Sequence, residues 1–208
     1  CECSGWLPVV VGNLKVHSLK EIIKSQRLKA VQSTILDGTY ANCDEKLCSY
    51  LLDIRPEKKS WTIKSPLVKL KHLRLGIDDS CNLSCPSCRK TKIFEKRGIR
   101  LKARFKIADK IIDYIKQNVD PLTIHLGSDG DPFASLVYRY FLKNCPQKSN
   151  ISFSLQTNGL LIKKMYAKNK WLFDQLDTLG LSVDGCSKEV YEKLRRGGSF
   201  DLLKKNLQ

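Results

Sequence analysis

The stretch HLRLGIDDSCNLSCPSC, residues 72–88, carries two signals in direct succession, a short alternation and then three cysteines. Leu73, Leu75 and Ile77 alternate with polar or small neighbours, which is the period of a strand. Cys81, Cys85 and Cys88 fall on the loop that leaves this strand, separated by three residues and then two. A structural zinc takes four closed ligands, commonly two CxxC pairs, and only one such pair is present in this stretch. A cubic iron–sulfur cluster held by three cysteines leaves one iron free for a small ligand. Taken alone, the stretch leaves zinc, a redox thiol and an iron–sulfur cube open. Pro86 stiffens the loop, and Asn82 can hydrogen-bond within its turn.

Outward from that loop, strands and helices alternate. Ile107, Ile111 and Ile115 in FKIADKIIDYIKQNV (105–119) share one helix face. Strands follow at LTIHLG (122–127), ISFSLQ (151–156) and TLGLSV (178–183). Between and after them, helices are expected near 135–144, over 163–176 and from about Glu189, with another in the closing FDLLKKNLQ. This order predicts an α/β fold with a parallel sheet, whose chemistry gathers at the carboxyl ends of the strands.

The 208 residues suffice for one sizeable domain and a small satellite, and the composition excludes disordered and collagen-like classes. No uncharged apolar run is long enough for a membrane helix, and no signal-peptide layout opens the chain. A cytoplasmic protein with no membrane partner is the expectation. There, nine cysteines point to metal ligation before disulfides. The net charge of +16 raises the question of a polyanion partner. A solvated loop and helix face is the plainer reading of the dense run RKTKIFEKRGIRLKARFK (89–106), so nucleic acid is the less favoured partner.

CNLSCPSC has the CxxxCxxC form of the radical S-adenosylmethionine (SAM) superfamily, and the turns that follow resemble that family's in order. GSDGDPFAS (127–135) resembles the glycine-rich segment that meets the SAM amino group. Gly127 and Gly130 would let backbone approach a ligand, and Ser128, Asp129 and Asp131 would offer acceptors to an ammonium. TNG (157–159), with Asn158, and LSVDG (181–185), with Ser182 against the SAM ribose, resemble the next two turns. KLRRGGSF (193–200) supplies an arginine to grip the SAM carboxylate, with Arg195 preferred over Arg196. The resemblance implies a [4Fe–4S] cluster on Cys81, Cys85 and Cys88, bound SAM, and a reducing partner such as a flavodoxin or ferredoxin. It implies a partial (β/α) TIM-like barrel of four units over 67–208. One departure is Ser87, where many members place an aromatic over the adenine; Phe94 or Phe133 would have to substitute.

The N-terminal region reads as a small, mostly helical cysteine-rich module over 1–60, joined to the barrel near 49–66. HSLKEIIKSQRLKAVQSTILDG (17–38) predicts a helix opened by a Ser18–Glu21 capping box and ended at Asp37-Gly38. Three segments, CSGWLPVVVGNL, SLKEI and ILDGTYANCDEKLC, resemble the SPASM domain of peptide-modifying radical SAM enzymes. The resemblance implies an auxiliary [4Fe–4S] cluster on Cys1, Cys3, Cys43 and Cys48, with a zinc site on the same ligands as the alternative, and a peptide or protein substrate. A SPASM domain usually follows the barrel, so its position here suggests a reversed order or a piece of a longer chain. Radical chemistry on a nucleic acid or a small metabolite, and a non-catalytic metal-binding module, are the competing functions. Cys186, just beyond the fourth strand, is a candidate hydrogen-atom donor, and Cys145 is expected to be a buried inert thiol. His17, His72 and His125 have no mutual metal spacing, and His125 is expected to pack.

Overall fold

A computed structural model describes residues 7–44, 46–48, 51 and 69–208. It divides into two compact units, Cys1–Leu70 and Lys71–Gln208.

In the first unit, α1 (Leu19–Lys24) and α2 (Gln26–Leu36) replace the single helix expected over 17–38. Ser25 makes the break. Its backbone is extended (ψ 146°), its N–H donates to the Ile22 carbonyl, and its hydroxyl accepts from the Leu28 N–H at 3.2 Å. One serine thus closes the first helix and caps the second, as short hydroxyl side chains do when they compete with helical hydrogen bonds. The Ser18–Glu21 capping box is present, with the Ser18 N–H donating to Glu21 Oε2 at 2.6 Å. Leu19 and Val31 are the buried apolar residues of the pair.

In the second unit, β1 (His72–Leu75), β2 (Leu122–Leu126), β3 (Ile151–Thr157) and β4 (Leu176–Leu181) form a parallel sheet in the order β1-β2-β3-β4. Strands paired in sequence order with a helix in each crossover make four β/α units, an arrangement consistent with part of a TIM-like barrel. Leu122, Ile124, Leu126, Ile151, Phe153 and Leu155 alternate into the core.

The first crossover helix, α3 (Ile99–Gln117), begins six residues before the expected start and buries Leu101, Ala108, Ile111, Ile112 and Ile115. The second, α4 (Leu136–Asn144), is capped by Ser135 and buries Val137, Tyr138, Phe141 and Leu142. The helix expected over 163–176 is instead two, α5 (Ile162–Tyr166) and α6 (Lys170–Asp174). Asn169 separates them: its side chain donates back to the Met165 carbonyl at 3.1 Å while its own carbonyl takes the Leu172 N–H. After β4 come α7 (Lys188–Leu194) and α8 (Phe200–Leu207). His125 packs on His72, with ring centroids 5.7 Å apart.

Among the described residues, no helix is long and apolar enough to cross a membrane.

Candidate functional site

All four strands deliver their following loops to one edge of the sheet. There a cavity of about 150 Å³ is lined by Cys81, Cys85, Cys88 and Arg89 after β1; Gly127, Ser128, Asp129, Gly130 and Asp131 after β2; Gln156, Thr157 and Asn158 of β3 and its turn; Ser182 after β4; and Arg195 after α7.

The cysteine loop is pinned at several points. Cys81 donates its N–H to the Ile93 carbonyl, Ser84 to that of Arg196, and Cys88 to that of Cys85. Leu83 and Cys85 are buried with Leu160, Tyr191 and Leu203, so an apolar cluster anchors the middle of the loop. At its start, buried Asp78 pairs with Arg104 of α3 and accepts from the Ser135 hydroxyl at 2.5 Å. Arg104 also pairs with Asp79 (2.7 Å) and Glu95 (3.2 Å). Burial pushes the Cys81 thiol above its ordinary value, while Cys88 is exposed.

Two glycines after β2 have steric reasons. Gly127 has φ +103°, and an added Cβ would lie 2.2 Å from the Gln156 carbonyl oxygen. A Cβ on Gly130 would lie 2.4 Å from the Ser80 carbonyl oxygen. Asp131 corrects an expectation, because its carboxylate is occupied by the protein. Oδ1 accepts from the N–H groups of Phe133 (3.0 Å) and Ala134 (3.2 Å); Oδ2 accepts from Thr157 Oγ1 (2.8 Å) and the Asn158 N–H (2.9 Å). It ties the β2 turn to the β3 turn and has little capacity left for an ammonium. Ser128 and Asp129 remain at the cavity wall.

Asn158 bridges the β3 turn to the cysteine loop through Asn82 Oδ1 at 2.8 Å, and Ser182 Oγ accepts from Gln156 Nε2 at 2.6 Å. The two arginines differ in what occupies them. Arg196 donates to the carbonyls of Ser84 (3.0 Å) and Lys90 (2.8 Å). Arg195 faces the cavity, pairs with Asp184 at 2.8 Å, and keeps a buried Nε with no hydrogen-bond partner among the described residues. A buried charged donor without an acceptor is costly unless a ligand supplies one.

The structure does not bring every expected residue to this cavity. Phe133 is 1% exposed and stacked near Phe173, with centroids 6.0 Å apart, and Phe94 is 42% exposed with Lys96 over its ring; neither lines the cavity, so neither is set to cover an adenine there. Cys186 is exposed and lies outside the lining. Cys145 is buried, and desolvation pushes its thiol up to about 12. Cys43 is half-buried and Cys48 buried, whereas Cys1 and Cys3 lie outside the described residues. Sequence reasoning passed over Arg89, Gln156 and Thr157. Arg89 was hidden inside a basic run that reads as solvated surface.

A β/α protein with three cysteines leaving its first strand, beside a glycine-rich turn and an arginine with a free buried donor, belongs to the class that binds a cluster and a charged small molecule at strand ends. The profile of the Radical SAM superfamily matches residues 77–208, and the chain belongs to that superfamily. It is similar to a probable GTP 3',8-cyclase of Methanococcus maripaludis (strain C5 / ATCC BAA-1333), 28% identical over 140 residues, which are 67% of this chain and 45% of that protein. A probable GTP 3',8-cyclase of Methanococcus aeolicus is 28% identical over 146 residues, covering 67% and 46%. A GTP 3',8-cyclase of Limosilactobacillus fermentum is 28% identical over 138 residues, covering 62% and 38%. The chain spans less than half the length of these curated relatives.

Membership implies a [4Fe–4S] cluster and SAM, and the donor set fits them. Among the described residues, no three His, Cys, Asp or Glu side chains converge as ligands of a single metal ion. A cube asks for something different, three thiols each meeting a separate corner, and here three cysteines line one wall of one cavity.

Proposed function

We propose that this chain binds a [4Fe–4S] cluster through Cys81, Cys85 and Cys88 and cleaves SAM reductively beside it. The single observation that carries this reading is that cavity, where three thiols meet the turns of β2, β3 and β4 and the unpartnered Nε of Arg195. When bound, the cluster would supply the electron for reductive cleavage of SAM and so the radical chemistry at a substrate carbon.

The protein's own residues position the reactants. Asp131 fixes the β2 and β3 turns against each other. Ser128 and Asp129 offer acceptors to the SAM ammonium, Ser182 a hydroxyl to the ribose, and Arg195 its unpartnered Nε–H to the carboxylate. Asp184, at φ +60°, pairs with Arg195 at 2.8 Å and so holds it in place.

The N-terminal cysteines favour a peptide or protein substrate, with an auxiliary cluster on Cys1, Cys3, Cys43 and Cys48. A nucleotide is the second reading, favoured by the relatives' name, GTP 3',8-cyclase. Either reaction draws its electron from a flavodoxin- or ferredoxin-type partner.

Anaerobic reconstitution, reduction and addition of SAM should yield 5′-deoxyadenosine. A colourless, zinc-loaded protein that leaves SAM intact would sink the proposal. GTP that is consumed and accelerates 5′-deoxyadenosine formation would select the nucleotide reading. GTP without effect would leave the peptide reading in front.

A further inference from the structure

The Arg89 side chain touches three segments at once. Its Nε and Nη2 each lie 3.4 Å from Cys88 Sγ. Nη2 also donates to the Asp129 carbonyl at 2.8 Å, and Nη1 donates to the Asp79 carbonyl. Asp79 lies between β1 and the cysteine loop, and Asp129 sits in the glycine-rich turn after β2. The other cations near it in the basic run, Lys90, Lys92, Lys96, Arg97 and Arg100, are exposed, whereas Arg89 is half-buried in the cavity wall.

We propose that Arg89 is a positioning residue with two linked tasks: it sets the reduction potential of the cluster through the Cys88 sulfur, and it holds the SAM-facing turn after β2 in register with the cysteine loop. This rests on the radical SAM reading above. A positive charge hydrogen-bonded to a ligating sulfur favours the reduced, more negative cluster and moves its potential upward. The same guanidinium reaches two backbone carbonyls from different strand ends. A flat, five-donor fork can serve all three acceptors together, and the compact ammonium of lysine cannot. Arg196 supplies an internal contrast, because it is bonded to the same loop and, among the described residues, to no cysteine sulfur.

The test compares reconstituted wild type with Arg89→Met, Arg89→Lys and Arg196→Met. The cluster midpoint is measured by EPR-monitored titration without SAM, and SAM affinity by equilibrium dialysis against the oxidised protein. Arg89→Met should lower the midpoint and weaken SAM roughly tenfold, the scale of one lost charge-assisted hydrogen bond. Arg89→Lys should keep a midpoint near wild type while SAM is weakened, and Arg196→Met should leave the midpoint in place. An unshifted midpoint in Arg89→Met, or an equal shift in Arg196→Met, overturns the proposal while the radical SAM reading stands. Should Arg89→Met hold no cluster, Arg89→Lys decides, and wild-type SAM affinity there overturns the linkage. A wild type that takes up no cluster defeats both readings.

Discussion

Two side chains show how differently a buried polar group can be used. Asp131 accepts four hydrogen bonds from two successive turns, so its carboxylate acts as a clasp. Asp131→Asn keeps the shape but turns one of the two acceptor oxygens, each of which takes two donors, into an NH₂. Two buried donors then lose their acceptor, and the expected cost is about 2–4 kcal/mol, read as a lower urea midpoint together with weaker SAM binding. Cys145 is the opposite case, an apolar use of a titratable group. Its thiol is raised from 9.0 to about 12 by burial, so the unfolded chain releases this proton first. Stability is therefore flat in this term below pH 9 and falls as pH rises from 9 towards 12, by at most about 1.4 kcal/mol per pH unit. Cys145→Ala should lower overall stability yet remove this share of the slope. Urea unfolding between pH 9 and 10, compared between wild type and Cys145→Ala so that the ionisation of tyrosines and other cysteines cancels, measures it.

At the scale of elements, the β/α order was legible because each strand alternates cleanly and each long helix keeps a buried stripe, as Ile111 and Ile115 do in α3. What escaped were interruptions made by single polar side chains. Ser25 and Asn169 each sit inside a helical apolar pattern, and periodicity does not register a hydroxyl or amide that captures a backbone group. The early start of α3 escaped for a related reason. Its first turn follows Gly98 at φ +115° and carries no side-chain cap, so no capping signature marks it. The β2 turn shows how tightly one element can depend on one residue type. Gly127→Ala would place a methyl 2.2 Å from the Gln156 carbonyl oxygen, in a left-handed backbone that L-residues resist. The ends of β2 and β3 must separate, at a cost of about 1–3 kcal/mol. SAM affinity should fall with it, while Gly38→Ala, also at positive φ but with open space around it, should lose stability without touching the site.

Across the molecule, the site was legible as a set of strand-end turns, and Cys81, Cys85, Cys88, Gly127, Ser128, Asp129, Gly130, Asn158, Ser182 and Arg195 all line one cavity. The division of labour within it was not, because hydrogen bonds between segments distant in sequence decide whether Asp131 is a ligand or a clasp, and which arginine keeps a buried donor without a partner. The same topology separates fold from chemistry. The sheet is held by backbone pairing of four strands and by apolar side chains such as Ile124, Phe141 and Phe153, none of which belongs to the cysteine loop. That loop is attached through Leu83, Cys85 and the Asp78–Arg104 pair, at the rim of the sheet. Replacing Cys81, Cys85 and Cys88 together by alanine removes two partly or fully exposed sulfurs and one buried one, a loss of about 1–2 kcal/mol from the buried position. The variant should therefore keep the wild-type far-UV circular dichroism and a cooperative unfolding transition. It should also lose the iron–sulfur absorbance of the Cys81–Cys85–Cys88 site and all formation of 5′-deoxyadenosine. A collapse of the circular dichroism spectrum would show instead that the loop is part of the folding core. Retained 5′-deoxyadenosine formation would move the reactive cluster to other cysteines of the chain.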